Sequence, residues 1–154
     1  MNDWCLIADI GGTNARFSAI RPHELENNQQ FFHSVDEHPN FEDLLSIVMT
    51  EISQTTGWDH PPKKVCFAVA CPADSEEISF TNSHWSFIKR RIKNILKCTT
   101  LVIINDFEAV AHGVTELKPD DTIQIGGDEP VANRAIGILG AGTGLGVAAL
   151  LPFD

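Results

Sequence analysis

The sequence predicts an α/β protein whose mixed β-sheet is flanked by helices. Two apolar runs near the start of the chain are separated by a short Gly-Gly-Thr-Asn segment, which indicates a β-hairpin. Beyond it, apolar residues at helical spacing alternate with continuous apolar runs of strand length, a pattern typical of parallel strands joined by helices. The 154 residues suit one domain, or one domain with a small piece of another.

The first part of the chain predicts a β-meander. Residues 4–9 and 15–20 form the two apolar strands of the hairpin, and residues 30–35 give a weaker third strand after a polar loop. Strands joined in this way pair antiparallel, so the meander supplies the antiparallel part of the mixed sheet.

Three helices and four further strands complete the predicted pattern. Asn40, with Asp43 three residues later, is placed to cap the first helix, Ser86 to cap the second, and Pro119 to end the third. The segment 56–64 holds Gly and Pro residues and is a connection. The predicted helices cover residues 41–52, 88–96 and 107–117, and the predicted strands cover the buried runs 65–70 and 101–104 and the later runs 136–139 and 147–151.

The negative net charge of the protein argues against two classes of partner. The chain has 21 Asp and Glu residues against 11 Lys and Arg residues, a formal net charge of −10. A surface this acidic repels nucleic-acid backbones and anionic lipids, so we expect neither nucleic acid nor a membrane as a partner. An anionic nucleotide can still bind where backbone N–H groups, a helix N-terminus or a metal ion help. The oligomeric state stays open, a homo-oligomer included.

Cysteine usage and the absence of targeting signals indicate a cytoplasmic protein. Cys5, Cys66, Cys71 and Cys98 form no CxxC pair and are predicted to be buried, reduced thiols. No secretory signal pattern opens the chain, and no apolar run approaches membrane-spanning length. The six histidines show no metal-ligand spacing such as HxxxH.

The turn at the end of the first strand is the first candidate site. Gly11 and Gly12 allow left-handed backbone conformations and close approach to a ligand, and successive N–H groups in such a turn form a concave anion site. Thr13 and Asn14 add side-chain donors, and Asp9 is placed to orient a magnesium ion through water. The alternative is a plain hairpin in which Asp9 is a surface acid.

A second glycine-rich turn, Gly-Ala-Gly-Thr-Gly-Leu-Gly at residues 140–146, lies between the last two predicted strands. Its likeness to the first strand–turn–strand unit suggests two half-sites around one ligand. One alternative is a flexible, tight hairpin. Another is a dinucleotide-binding fingerprint, which requires a helix after the glycines and an acid about 20 residues later; here a strand-like run follows instead.

Asn105 and Asp106 form the third candidate site, because they follow a buried strand and open a helix. Ligands of open α/β sheets bind beyond the carboxyl ends of the strands. An acid there can accept a proton from a hydroxyl group that attacks a phosphoryl group. The alternative role of Asp106 is that of a helix N-cap.

The polar cluster Thr-Asn-Ser-His-Trp at residues 81–85 is the fourth candidate site. Its aromatic and amide groups either line a sugar site, with Asn82 as a ligand, or cap the helix that follows. The residues alone favour neither reading.

In the order of its motifs, the whole chain resembles the bacterial glucokinase family. The motifs are Asp-Ile-Gly-Gly-Thr-Asn-Ala-Arg at 9–16, Ala-Cys-Pro at 70–72, Thr-Asn at 81–82 with Trp85, Ile-Asn-Asp-Phe at 104–107, Gly-Gly at 126–127 with Glu129-Pro130, and the glycine-rich run at 140–146.

The resemblance implies an actin-like ATPase fold (ribonuclease H-like) and ATP-dependent phosphorylation of glucose, with Mg²⁺, at the start of glycolysis. Asp106 is then the general base for the hydroxyl at carbon six, Asn105 and Asp106 hold glucose, and Asp9 orients hydrated magnesium. The residues that the resemblance assigns to the two phosphate-binding turns are Ala8, Asp9, Ile10, Gly11, Gly12 and Thr13 for the first and Gly142, Thr143 and Gly144 for the second.

The resemblance also implies elements that lie beyond Asp154: a Glu-x-x-His sugar-binding element, a further glutamate and an adenosine-binding segment. We therefore expect an N-terminal portion that is inactive alone and prone to self-association. Residues 1–110 would form a small domain and residues 111–154 the beginning of a large one. The alternatives are a kinase for another hexose or an N-acylhexosamine, such as mannose or N-acetylmannosamine, and a non-catalytic sugar-binding regulator.

Overall fold

The computed structural model describes residues 3–24, 28–128, 131–141 and 144–152. Within these ranges a first α-helix follows an initial run of three strands, a second follows three more strands, and a third lies between the seventh strand and a final pair of strands. These elements are β1 (Cys5–Ile10), β2 (Asn14–Ile20), β3 (Gln29–Ser34), α1 (Phe41–Thr56), β4 (Lys64–Val69), β5 (Glu77–Ser79), β6 (Ser86–Ile88), α2 (Lys89–Leu96), β7 (Thr100–Asn105), α3 (Asp106–Val114), β8 (Ile136–Ala141) and β9 (Leu145–Leu150).

The chain divides into two compact units between Asp106 and Phe107. The first unit holds strands β1 to β7 with helices α1 and α2, and the second holds α3 from Phe107 onward with the β8–β9 hairpin. None of the helices in the described residues is long and apolar enough to cross a membrane.

The main sheet of the first unit has the strand order β3-β2-β1-β4-β7. β1, β2 and β3 pair antiparallel, whereas β4 and β7 run parallel to β1. The predicted mixed sheet is therefore confirmed. In its register Ile10 lies opposite Val69, and Val69 lies opposite Asn105, so β1, β4 and β7 end at the same edge.

The core lies on one face of this sheet, against α1 and α2. Alternate residues of β1 and β2 point into it, and the other face of both strands is more exposed. Phe41, the first residue of α1, stacks on Phe87 of β6 with ring centroids 4.6 Å apart. Its ring also meets that of Phe67 edge-on at 5.7 Å, so aromatic packing joins α1 to the sheet.

Helix α1 begins and ends as its sequence predicts. The Asn40 side chain accepts a hydrogen bond from the Asp43 N–H at 2.8 Å, which satisfies one of the first amides of the helix. Gly57 ends the helix in the left-handed conformation, with φ 71°, and its N–H donates to the Ser53 carbonyl oxygen at 2.9 Å. The predicted cap is confirmed.

Helix α2 starts differently from the prediction. Ser86 does not cap it, because Ser86 lies in β6, one strand of a short hairpin that the sequence did not reveal. Glu76 supplies the cap instead: its carbonyl oxygen accepts from the Lys89 N–H and its Oε1 from the Arg90 N–H, both at 3.0 Å. A carboxylate at a helix N-terminus is favourable, and this one comes from a residue distant in sequence.

Two further elements depart from prediction. β7 is an edge strand of the described sheet rather than a fully buried one, and the Val102 side chain is 44% exposed. α3 ends at Val114 rather than near residue 117, because the Glu116 and Leu117 amides bond to carbonyl groups three residues back. Such bonds tighten the last turn of a helix. Of the four cysteines, Cys71 and Cys98 are buried as predicted, whereas Cys5 and Cys66 are half-buried.

Candidate active site

The carboxyl ends of β1 and β7 bring two of the predicted motifs, the first glycine turn and Asn105 with Asp106, to one edge of the first unit. The Ala70 N–H donates to the Ile10 carbonyl oxygen at 3.0 Å, which continues the pairing of β1 and β4 to the start of the glycine turn. Asn105 ends β7 two strands away, and two strand spacings amount to about 10 Å. The first turn and Asn105 with Asp106 thus share one edge of the sheet, with the end of β4 between them.

The first glycine turn is closed by its own backbone. The Gly11 N–H donates to the Asn14 carbonyl oxygen at 2.9 Å, and the Val35 N–H donates to the Thr13 carbonyl oxygen at 2.9 Å, so the turn is fixed from two sides. Because the Gly11 amide is engaged in this way, the predicted anion site reduces to the amides of Gly12 and Thr13. Thr13 is exposed and Gly12 half-buried.

The conformational reason predicted for the two glycines is wrong. Neither Gly11 nor Gly12 has a positive φ, so the backbone of this turn is open to other residues. Close packing explains Gly12 instead. A Cβ on Gly12 would lie 2.7 Å from the Asn82 carbonyl oxygen, whereas a Cβ on Gly11 would lie 3.4 Å from the Asn14 carbonyl oxygen, an ordinary contact.

Asn82 lies in the turn between β5 and β6, and its backbone packs against the first glycine turn. The reading of this cluster as a helix cap is wrong, because β6 separates it from α2. Trp85 at the end of the cluster is buried, and its ring N–H donates to the His38 carbonyl oxygen at 3.0 Å. The structure thus brings Asn82, by its backbone, to the phosphate-binding candidate.

Asp9 lies on the sheet face away from the core and pairs with Arg16. The Arg16 Nη1 donates to Asp9 Oδ2 at 3.1 Å, and the two residues are direct neighbours in the β1–β2 register. The Asp9 side chain is 56% exposed and the Arg16 side chain is 60% exposed, so the ion pair contributes little to stability. Ala8 and Ile10, in contrast, point into the core and offer only backbone groups to a ligand.

Asn105 is held by the end of the neighbouring strand. Its Nδ2 donates to the carbonyl oxygens of Val69, at 3.4 Å, and Cys71, at 3.3 Å. Asp106 follows as the first residue of α3. Burial, and after it the negative charge of Asp106, raises the pKa of the Cys71 thiol, which places this thiol within electrostatic reach of the carboxylate. Residue types alone did not reveal Arg16, which meets Asp9 through the pairing of β1 with β2, or Cys71, whose carbonyl oxygen accepts from the Asn105 side chain.

The second glycine turn belongs to the second unit. β8 and β9 pair antiparallel, with Gly140 opposite Gly146 and Ala141 opposite Leu145, which confirms the predicted hairpin. Gly144 is exposed, and Gly142 and Thr143 lie outside the described residues. In the described ranges no group of three His, Cys, Asp or Glu side chains is arranged to hold a metal ion.

Comparison with known proteins finds glucokinases by sequence and by structure. The family model for glucokinase matches residues 6–154. Glucokinases of Salmonella arizonae and Salmonella paratyphi B are each 36% identical over all 154 residues of this chain, which cover 46% of their length. The chain therefore spans about half the length of these relatives.

Solved structures resemble the chain in fold. A glucokinase from an Antarctic psychrotroph has a TM-score of 0.80 at 27% identity and matches 99% of this chain and 47% of its own. A glucokinase from Balamuthia mandrillaris in complex with glucose has a TM-score of 0.71 at 21% identity, over 97% of this chain and 45% of its own. A ROK family glucokinase from Streptomyces griseus, in complex with glucose and AMPPNP, has a TM-score of 0.64 at 17% identity. The match covers 97% of this chain and 45% of the Streptomyces griseus chain.

Proposed function

The chain belongs to the glucokinase family, and from this membership we propose that it forms the N-terminal part of an enzyme that transfers the γ-phosphoryl group of ATP to glucose. The observation that carries the proposal is the shared edge of the sheet, where the first glycine turn ends β1 and Asn105 ends β7. A phosphate-binding turn and an acid about 10 Å apart leave room for a phosphoryl group and a sugar hydroxyl between them.

Asp106 is the general base in this proposal. Its carboxylate accepts the proton of the hydroxyl at carbon six of glucose as the oxygen attacks the γ-phosphorus. Asn105 orients a neighbouring hydroxyl of the sugar, since its hydrogen bonds to the end of β4 already fix its side chain. Asn82 is a further sugar ligand, presented by the turn that packs on Gly12.

The first turn binds phosphate in this proposal through backbone groups of residues 8–13. The amides of Gly12 and Thr13 donate to phosphate oxygens, and the Thr13 hydroxyl adds a further donor. The second phosphate-binding turn is formed by Gly142, Thr143 and Gly144, which would also bind phosphate through backbone amides.

Magnesium fits the donor chemistry of Asp9. A hydrated magnesium ion needs few protein carboxylates, and Asp9 presents an exposed one at the end of β1. Bound there through water, the ion would offset the negative charge of the phosphates, which the acidic surface of the chain does not do. Arg16 holds the Asp9 carboxylate in place and brings positive charge to the same spot.

The proposal extends to the setting of the enzyme. Phosphorylation of glucose by ATP begins glycolysis in the cytoplasm, and we assign this chain to that step, without nucleic acid or membrane as a partner. Residues 1–110 are proposed as the small domain and residues 111–154 as the start of the large one. The contacts of the described residues divide four positions earlier, after Asp106.

An assay across several sugars tests the proposal. The protein made from the complete reading frame is incubated with ATP, magnesium and either glucose, mannose or N-acetylmannosamine, and ADP release is measured with a coupling system. We expect glucose to give the highest kcat/KM. Preference for another sugar would support the related-kinase reading, and sugar binding without ADP release would support a non-catalytic regulator.

A further inference from the structure

A phenylalanine ring lies on the paired glycines that flank the second turn. Gly140 and Gly146 face each other directly across the β8–β9 hairpin. A Cβ on Gly140 would lie 2.6 Å from Cζ of Phe107, and a Cβ on Gly146 would overlap the same ring. Both glycines are therefore required by the ring, because a methyl group at either position displaces it.

The contact offsets a weakness of the hairpin. Two glycines facing each other leave the hairpin without side chains at that point, which costs conformational entropy and exposes backbone hydrogen bonds to water. An aromatic ring laid over such a pair supplies apolar cover and holds the two strands in register. The pair lies one residue pair before the turn, since Ala141 and Leu145 form the last one. The ring thus restrains the two strands at the Gly140–Gly146 pair.

Phe107 also adjoins the proposed general base. Asp106 and Phe107 are bonded to each other in the first turn of α3. A shift of the Phe107 side chain therefore acts on the hairpin. The three nearest atoms to each position where these glycines would carry a Cβ all belong to the Phe107 ring.

We propose that Phe107 is a positioning residue, which fixes the β8–β9 hairpin that carries the second glycine turn against its own helix, α3. This rests on the proposed function, in which the turn carried by this hairpin binds phosphate. Because Phe107 contacts the strands that carry the turn, its loss affects the nucleotide more than the sugar.

Truncation of the ring tests the proposal in the protein made from the complete reading frame. For Phe107→Ala we expect the KM for ATP to rise and kcat to fall by about 10–100-fold, the effect of misplacing a reacting group by about 1 Å. The affinity for glucose, measured by isothermal titration, stays within about 3-fold of wild type, because Phe107 is not one of the proposed sugar ligands. Val110→Ala, which removes an exposed apolar side chain from the same helix, is the matched control and leaves these values unchanged.

A steric double mutant separates positioning from general damage. Gly146→Ala pushes the ring away and impairs ATP use, whereas Phe107→Ala with Gly146→Ala removes that clash. We expect the double mutant to lose less than the product of the two single losses, since the two residues are in contact. Strictly multiplicative losses, or equal losses for ATP and glucose, would overturn the proposal.

Hydrogen exchange tests the role of Phe107 independently of whether the proposed function is right. Peptides covering β8 and β9 should exchange faster in Phe107→Ala than in wild type, and peptides covering β1 and β2 should not. If the wild-type protein phosphorylates no sugar, the proposed function fails, while faster exchange confined to the hairpin still supports the restraint by Phe107. Unchanged exchange in that hairpin contradicts the restraint whatever the activity is.

Discussion

Gly12 approaches Asn82 so closely that a Cβ on Gly12 would lie 2.7 Å from the Asn82 carbonyl oxygen. This contact joins the first glycine turn to the hairpin formed by β5 and β6. It ties two predicted parts of the site, one for phosphate and one for sugar, into one packed surface. It also changes the expected effect of mutating the turn.

Gly12→Ala should therefore destabilise the first unit. The added methyl group meets backbone rather than a flexible side chain, and such overpacking costs about 1–3 kcal/mol. Gly11→Ala is the matched control, because its Cβ would lie 3.4 Å from the Asn14 carbonyl oxygen and its φ is not positive. Urea unfolding of both variants measures the difference.

The same substitution should weaken both ligands. The displaced turn carries phosphate donors, and the displaced Asn82 turn carries a proposed sugar donor, so we expect losses for glucose and for ATP in titration. If Gly12→Ala is as stable as Gly11→Ala, the Asn82 backbone can move to accept the methyl group without a loss of folding free energy, which would contradict this prediction.

The exposed pair between Asp9 and Arg16 should matter little for stability. Arg16→Ala is expected to change the free energy of unfolding by no more than about 1 kcal/mol, because exposed ion pairs are worth about 0–1 kcal/mol. If Arg16 holds Asp9 for magnesium, the same variant needs more magnesium for half-maximal activity. Wild-type magnesium dependence in Arg16→Ala would remove Arg16 from that role. Arg16→Lys is the control that keeps the charge.

The β1–β2 hairpin and helix α1 could be predicted because their signals are local. Their turn glycines, alternating apolar residues, cap and terminal Gly57 all lie within a few positions of the backbone that they shape. The start of α2 could not be predicted, since Glu76 reaches its amides across the β5–β6 hairpin, whose three-residue strands are too short for a periodic signal.

In the candidate site, too, features with local sequence signals could be predicted, and contacts between distant residues could not. Residue types and order pointed to the glycine turns and to Asp106, and β-strand register places Asn105 opposite the end of β4. The contacts of Gly12 with Asn82 and of Phe107 with Gly146 join residues tens of positions apart. Only the packed structure brings these residues together, and nothing in their local sequence marks them.

Stability should fall at alkaline pH because of two buried thiols. Burial raises the pKa of Cys71 and of Cys98 above the ordinary value of 9.0. The folded chain then holds protons that the unfolded chain has lost, so stability is full below about pH 9 and declines as the pH rises through the folded pKa values. Thermal unfolding between about pH 8 and pH 10.5 measures the decline.

Cys98→Ala should make that decline shallower, since one of the two thiols is gone. Cys5→Ala leaves both buried thiols in place and should keep the wild-type slope. The comparison is between slopes, because each substitution also changes packing. A Cys98→Ala slope equal to that of wild type would mean that the thiol does not titrate differently in the folded state.

Residues 1–154 alone should not phosphorylate glucose at a useful rate, and their last hairpin should be a weak point. β8 and β9 pair only with each other in the described sheet, and an isolated two-stranded hairpin is marginally stable. Leu139, Leu145 and Val147 are 72%, 73% and 62% exposed. Light scattering should detect self-association, and limited proteolysis should cut the β8–β9 hairpin first. A monodisperse, fully active chain would contradict this expectation.

The most direct test of the central claim is the turnover of Asp106→Asn in the protein made from the complete reading frame. Loss of a general base lowers kcat by about 10²–10⁴-fold. Glucose should still bind, because the amide keeps the shape of the side chain and Asn105 keeps its hold on the end of β4. Single-turnover formation of glucose 6-phosphate, measured beside glucose affinity, gives both values. We predict a loss of at least about 100-fold in the chemical step with glucose affinity within about 10-fold of wild type. Wild-type turnover in Asp106→Asn would contradict the account and leave Asp106 with a structural role at the start of α3.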